Sequence, residues 1–338
     1  MAKSYNVAVV GATGIVGQEL LGILETRKFP LGRLKLIASA RSAGKRIKFG
    51  EQEIEVEALS HDCFEGSDFV FNAVPDEISR EYSPSAVKAG AIVIDKTGAW
   101  RMDQDVPLVV PEINGADVAK HKGIIATPNC ATMPVVMALW PLHQVNPVKR
   151  VVAATYQSVS GTGGPAVEEL RVQTPQALAG EAVWPSAYPH QIAFNLIAEI
   201  GSWKDDDYTS EEMKMVNETR KIMHAPDIAI SATCVRVPTF VSHAAAVWAE
   251  FEEPMAPETV RELLSKAPGV VVQDDPKNSV YPQPWTAAGK DPVFVGRIRR
   301  DLSSPNGIAF WTVGDNLRKG AALNALQIAE ELIERNLI

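Results

Sequence analysis

Two short stretches hold residue types that do chemistry. Thr127-Pro128-Asn129-Cys130-Ala131-Thr132 places a cysteine between a strand pattern, Ile124 to Ala126, and an apolar helix pattern, Val135 to Leu142. A thiol at a helix N-terminus is favoured as thiolate by the helix dipole and by N–H groups with no partner inside the helix. The neighbouring Asn129 carries an amide that can donate to an oxyanion. The second stretch is Gly11-Ala12-Thr13-Gly14-Ile15-Val16-Gly17, between an apolar run and a helical pattern. Two of its glycines let the backbone turn tightly and approach a pyrophosphate, and the third lets helix and strand pack closely.

The segment after the second strand pattern refines that reading. Ala38-Ser39-Ala40-Arg41-Ser42-Ala43-Gly44-Lys45 has no acid to hold a ribose 2′-hydroxyl and offers two cations. Ser39, Arg41 and Ser42 there suit a 2′-phosphate, so the expected cofactor is NADP.

These groups need a scaffold. Tyr5 to Val10, Leu34 to Ala38, Phe69 to Val74 and Ala91 to Asp95 read as buried strands. Helical spacing at Ile15 to Glu25 and Glu77 to Ala89 lies between them, which predicts a doubly wound parallel α/β sheet of Rossmann type. Beyond residue 130 the strand patterns lengthen and alternate: Val151 to Gln157, Ala229 to Pro238, Ala244 to Phe251 and Val293 to Ile298. Residues 164–180, 190–200 and 210–223 read as helices, the last with Thr209 or Ser210 as N-cap. The expected domains are residues 1–129, with a final helix from about 315 to 338 packing back on them, and an α+β catalytic and dimerisation domain over 130–314.

Composition narrows the class. The chain has 338 residues and a net charge of −8, which argues against a general nucleic-acid binder. Arg297-Ile298-Arg299-Arg300 is its one basic run and reads as an exposed strand edge. Cys63, Cys130 and Cys234 are too few and scattered for a disulfide framework, and no CxxC occurs. Cys63 and Cys234 read as inert buried thiols. His61, His121, His143, His190 and His224 show no metal-ligand spacing. No apolar run reaches the ~18 residues of a membrane span, and the first residues leave no room for a signal peptide, so the expected compartment is the cytoplasm.

The segments GATGIVG, ASARSAGK, VPLVVPEIN, PNCAT, YQSVSGTGG, YPHQIAFN, EEMKMVNETRKI, RVPTFVSH and DNLRKGAALNALQIAE occur in that order. Together they resemble the bacterial aspartate-β-semialdehyde dehydrogenases from residue 5 almost to the C-terminus. The resemblance implies that Cys130 is the nucleophile, Gln157 orients the substrate, and His243 is the general acid/base with a pKa near the ordinary ~6.5. It implies that Glu211 binds the substrate's amino group, Lys214 and Arg101 bind phosphate, and Arg236 clamps the α-carboxylate bidentately. Ser160, Gly161 and Asn316 would contact the cofactor. The implied reaction is NADP-dependent reductive dephosphorylation of L-aspartyl-4-phosphate, leading to lysine, threonine, methionine and isoleucine, in a homodimer formed through the second domain's sheet.

The chain departs from the family's commonest pattern in places. Asp95-Lys96-Thr97-Gly98-Ala99-Trp100-Arg101 stands where DNTSAFR is usual, and Val74-Pro75-Asp76-Glu77 replaces a glycine-rich turn. Met133-Pro134 stands for Ile-Gln, and Ser242-His243-Ala244 for Gly-His-Ser. Two alternatives stay open. An N-acetyl-γ-glutamyl-phosphate reductase would share the fold and thioester logic but usually shows a PGCY-type motif. A catalytically silent binding paralogue would not need Cys130, Gln157, Arg236 and His243 together.

Overall fold

Runs dominated by Val, Ile, Leu and Phe become the strands of a sheet whose centre is buried on both faces. In the computed structural model, which describes residues 3–338, five of these lie parallel: β1 (Tyr5–Val10), β2 (Leu31–Ala38), β5 (Phe69–Asn72), β6 (Ile92–Asp95) and β7 (Ile124–Ala126). A hairpin of β3 (Arg46–Phe49) and β4 (Gln52–Ala58) extends the sheet to the order β3-β4-β2-β1-β5-β6-β7. The order reverses at β1/β5, the place where such sheets open a crevice for a dinucleotide. Helices α1 (Ile15–Thr26) and α2 (Asp76–Lys88) make crossovers, and a short α3 (Pro111–Asn114) precedes β7.

The second sheet is mixed. It comprises β8 (Val148–Gln157), β9 (Ala229–Arg236), β10 (His243–Phe251), β11 (Val270–Val272), β12 (Val293–Arg300) and β13 (Gly307–Gly314), in the order β11-β12-β13-β10-β8-β9. Against it lie α4 (Thr132–His143), α6 (Ser210–Ile222) and α7 (Pro257–Lys266), with α5 (Gly164–Leu178) and the short α8 (Pro284–Ala287) completing the unit. In β8 the buried residues Val151, Ala153, Thr155 and Gln157 alternate with Val152, Ala154 and the exposed Tyr156. One sheet face is therefore covered. The other carries Tyr156, Trp248 and Trp311, with the Tyr156 and Trp311 rings 5.3 Å apart.

The chain divides into two units, residues up to 128 with 321–338, and residues 129–320. Asn129 and residues 315–320 thus fall in the second unit, whereas the sequence reading put them in the first. Their bonds explain it: Asn129 is held by α6, Asp315 accepts from the Gly289 N–H, and Arg318 pairs with Asp291. The last helix, α9 (Leu323–Glu334), starts later than predicted because Arg318–Ala322 is wound more widely. Leu326, Ile328, Ala329 and Leu332 of α9 join Val7, Val9, Leu36, Phe69 and Ile94 in the core of the first unit.

The helix expected over 190–200 is irregular backbone instead. The buried side chain of Gln173 accepts from the N–H groups of Ile192 and Ala193, which removes the need for helical partners. Among the described residues no helix is long and apolar enough to cross a membrane.

Helix α6 has the best-defined start in the chain. Thr209 accepts from the Glu212 N–H, and Glu212 accepts from the Thr209 N–H and from the Cys234 N–H of β9. This capping box fixes the helix to the sheet end. Thr209→Ala is expected to lower unfolding free energy by about 0.5–2 kcal/mol, read by urea denaturation. No loss would mean that the packing of α6, not its cap, sets its start.

Candidate active site

The second sheet places three polar side chains at one of its ends. Gln157 closes β8, Arg236 closes the parallel β9 as its register partner, and His243 opens β10. All three are at least nine-tenths buried. The N-terminal end of α4 brings Cys130 to the same place, with its Sγ 3.3 Å from His243 Nε2.

The turn that presents the thiol is held from two sides. Asn129 Oδ1 accepts from the N–H groups of Ala131 and Thr132 at 2.8 and 3.4 Å, at the entry to α4. Asn129 Nδ2 donates to Glu211 Oε1, and the Asn129 N–H donates to Glu218 Oε2 at 2.6 Å. The later segment passes close to the thiol's backbone: a Cβ on Gly320 would lie 3.1 Å from Cys130 Cβ, a tight contact. Cys130 is half-buried, whereas Cys234 lies buried within β9 and its thiol is pushed up to about 12, chiefly by burial. Its burial disfavours the thiolate.

Glu211 is the hub of the polar cluster. Its Oε1 accepts from both Gln157 Nε2 and Asn129 Nδ2 at 3.0 Å, and its Oε2 pairs with Lys214 at 3.1 Å. Burial alone would raise its pKa. The Lys214 ammonium and the donors from Gln157 and Asn129 outweigh burial and hold the carboxyl at about 2. The carboxylate therefore stays ionised across the neutral range.

His243 does not have the ordinary pKa expected from sequence. Burial lowers it first, and the Arg236 guanidinium lowers it further, to about 3, against the opposing pull of Glu211. Its Nδ1 accepts from the Ser158 N–H at 3.0 Å. Ser242 before it sits at φ 74°, a left-handed conformation costly for a serine, and its N–H donates to Asn316 Oδ1. This is the position where the family commonly has glycine, which adopts that backbone without strain. Asn316 Nδ2 donates to Ser160 Oγ at 3.0 Å.

Arg236 is built to receive an anion. Nη1 donates to the Ser158 carbonyl at 2.7 Å, yet Nε is buried with no hydrogen-bond partner in the protein. Buried donors are rarely left so, which points to a ligand oxygen at that edge of the guanidinium. Gly161 keeps the space open. A Cβ there would lie 2.9 Å from Arg236 Nη1 and 3.1 Å from His243 Nε2.

In the first unit the glycine loop has the geometry that its sequence requires. Gly11 sits at φ 85°, a Cβ on it would collide with the Ala73 carbonyl, and one on Gly17 would collide with the Gly11 carbonyl. The Gly11 and Ala12 N–H groups donate to Ile37, and no side chain caps the start of α1 at Gly14, Ile15 and Val16. Thr13, Ser39 and Arg41 are exposed near the ends of β1 and β2, with Ser42 buried. Arg101 is buried and donates to the Lys96 carbonyl at 2.7 Å.

The chain is similar to known proteins over its whole length. Residues 6–121 match the family described as semialdehyde dehydrogenase, NAD binding domain, and residues 139–319 the semialdehyde dehydrogenase, dimerisation domain. Aspartate-semialdehyde dehydrogenase of Aquifex aeolicus is 50% identical over 99% of both chains, and that of Bacillus subtilis 48% identical over 100% of both. The chain belongs to the aspartate-semialdehyde dehydrogenase family. A crystal structure of aspartate semialdehyde dehydrogenase II complexed with ASA from Vibrio cholerae, 41% identical, superposes with a TM-score of 0.96 over 98% of this chain and 99% of that one.

Against that family background, two of the sequence departures turn out to be one feature. The Gly98 N–H donates to Asp76 Oδ1 at 2.9 Å, and a Cβ on Gly98 would lie 2.8 Å from Asp76 Oδ2. Asp76 and the missing side chain at 98 accommodate each other.

The sequence reading missed Ser158 and Glu218. Glu218 lies seven residues after Glu211, hence on the same face of α6, and that spacing was a usable signal. Ser158 acts through its backbone N–H, which no residue type reveals.

Proposed function

We propose that this protein is an NADP-dependent oxidoreductase that converts L-aspartyl-4-phosphate to L-aspartate-4-semialdehyde through a thioester on Cys130. The observation that carries this reading is the cluster at one sheet end. A thiol at a helix N-terminus lies against an imidazole, beside a buried arginine with a donor edge to spare.

Cys130 as thiolate attacks the acyl carbon, and phosphate leaves. Arg236 takes the α-carboxylate on its Nε edge, in the bidentate geometry that fixes the acyl group in orientation. Glu211 holds the amino group, with Gln157 and Asn129 positioning its carboxylate rather than reaching the substrate through those same bonds. In this reading Gln157 orients the substrate through Glu211. Lys214 and Arg101 are the phosphate cations in this reading.

The cofactor would be held by Gly11, Thr13, Gly14, Ile15, Val16 and Gly17, by Ser39, Arg41 and Ser42 at the ribose, and by Ser160, Gly161 and Asn316. When bound it supplies the hydride that reduces the thioester carbonyl. Arg41 with no neighbouring acid favours the 2′-phosphate of NADP. Arg41→Ala should therefore weaken NADPH by about 1.5–3 kcal/mol and leave NADH nearly unchanged, as measured by fluorescence titration. Equal losses would remove the basis for choosing NADP.

The open face bearing Tyr156, Trp248 and Trp311 supports a homodimer through the second sheet. In this reading the enzyme acts in the cytoplasm, in the biosynthesis of lysine, threonine, methionine and isoleucine. Phosphate-dependent oxidation of aspartate semialdehyde, assayed with NADP and with NAD, tests the function. Dependence on phosphate and preference for NADP are expected. Turnover without phosphate, or faster turnover of N-acetyl-glutamate semialdehyde, would contradict it.

A further inference from the structure

Tyr188 opens the YPHQIAFN segment, a motif that no step of the proposed reaction uses. The backbone there is irregular, so groups outside the segment have to fix its course. Two buried side chains one turn apart on α5 do so. Glu169 Oε2 accepts from the Ser186 N–H at 3.0 Å, from the Ser186 hydroxyl at 2.7 Å and from the Ala187 N–H. Gln173 Oε1 accepts from the Ile192 and Ala193 N–H groups, and Gln173 Nε2 donates to Glu169 Oε1 at 2.9 Å. Burying a carboxylate is costly unless its oxygens are satisfied. Those of Glu169 go to this segment and to the glutamine that completes the brace.

The braced segment meets Arg236 twice. The Tyr188 ring lies over the guanidinium, its centroid 6.0 Å from Cζ. Its hydroxyl donates to Thr162 Oγ1 at 3.0 Å, which ties the ring to the loop beside Gly161. Nine residues on, the Ile197 N–H donates to the Arg236 carbonyl at 3.0 Å, and the Arg236 N–H donates to the Ile197 carbonyl at 2.8 Å. Burial raises the pKa of the phenol, and the Thr162 bond and the Arg236 charge oppose it less strongly, so the ring stays neutral.

A guanidinium offers a carboxylate two parallel hydrogen bonds only within its own plane. The Nη1 bond to the Ser158 carbonyl fixes one corner of that plane and leaves it able to tilt about the corner. A flat ring against one face removes the tilt and attracts the cation as well. The Nε edge, which has no partner in the protein, is then held where an anion can approach in plane.

We propose that Tyr188 is a positioning residue for the substrate carboxylate: stacked on Arg236 and braced by Glu169 and Gln173, it sets the plane in which the guanidinium presents its Nε edge. The proposal rests on the reading of Arg236 as the group that takes the α-carboxylate, and it gives the YPHQ motif and the buried Glu169 a purpose at that site.

The test uses L-2-aminobutyrate, which has the carbon skeleton and α-carboxylate of aspartate semialdehyde but no reacting group. Binding is followed on the Arg236 Nε–H signal in nitrogen–proton NMR of the full-length protein, assigned by its absence in Arg236→Lys. The signal should move with L-2-aminobutyrate in the wild type. Tyr188→Leu removes the ring and should weaken that binding roughly three- to thirtyfold, the range of a cation–π contact. Tyr188→Phe keeps the ring, loses only the Thr162 bond, and should stay close to wild type. Tyr188→Met is the second ringless variant, should leucine not fold. In kinetics the same loss should appear in the semialdehyde KM and not in the phosphate KM. Equal affinity in the wild type and a folded ringless variant would overturn the role of Tyr188 alone. A signal that does not move in the wild type would discard the carboxylate site on Arg236, and the proposal with it. The expected pattern in an enzyme without semialdehyde activity would support the role of Tyr188 and discard the reaction alone.

Discussion

Cys130→Ser is expected to melt as the wild type does, to bind NADPH, and to lose turnover by roughly 10⁴-fold or more, the scale seen on removing other covalent nucleophiles. The reason is chemical. A hydroxyl beside His243 is ionised far less than a thiol, and an oxygen ester resists hydride attack where a thioester accepts it. The fold should not notice the change, since the side chain is half-buried and Ser nearly matches it in size. Steady-state kinetics with cofactor titration in parallel reads both halves of the expectation. A serine variant retaining even a tenth of the wild-type kcat would rule out the thioester route.

The second large effect separates two cations proposed for one substrate. Arg236→Lys should impair the reaction strongly, because a lysine cannot offer the second parallel hydrogen bond that a carboxylate takes from guanidinium. It also loses the Nη1 bond to the Ser158 carbonyl that sets the direction of the fork. Loss of one charge-assisted bond in a buried site is worth about 1.5–3 kcal/mol, roughly ten- to a hundredfold in kcat/KM for the semialdehyde. The KM for inorganic phosphate in the oxidative direction should change little. Lys214→Ala should do the opposite, raising the phosphate KM more than the semialdehyde KM. It also removes the cation paired with Glu211, so the Glu211 carboxyl should rise from about 2 toward the usual range. Parallel rises of both constants in both variants, or a swapped pattern, would overturn the division of roles and leave Cys130 untouched.

Much of the fold is legible in the sequence. The strands β1, β2, β5 and β6 are written as mostly apolar runs, and the glycine loop sits where the first of them ends. The hairpin of β3 and β4 escaped notice although Ile47, Phe49, Ile54 and Val56 alternate around a turn at Gly50. Alternation with Lys and Glu on both sides reads as a solvated loop unless the turn is weighed with it. The segment 190–200 failed for another reason. Its apolar spacing is helical, but Gln173 supplies a buried acceptor from outside the segment, and no local pattern announces that.

For the candidate site, motif order nominated the residues and left their mutual bonds open. Gln157 and Asn129 each give an amide proton to Glu211, a bond that the motifs do not reveal. The pKa of His243 depends on Arg236 and on burial, neither of which is local in sequence. Arg236 lies on β9 and Ser158 just after β8, 78 positions apart, and only strand pairing joins them.

The covalent intermediate is the centre of this account, and rapid-quench mass spectrometry of the intact protein reads it directly. Enzyme mixed with aspartyl phosphate in the absence of nicotinamide cofactor should gain one aspartyl group per chain, located on Cys130 by digestion, with one equivalent of phosphate released in the same burst. Release of phosphate with no adduct, or an adduct on any other residue, would contradict it.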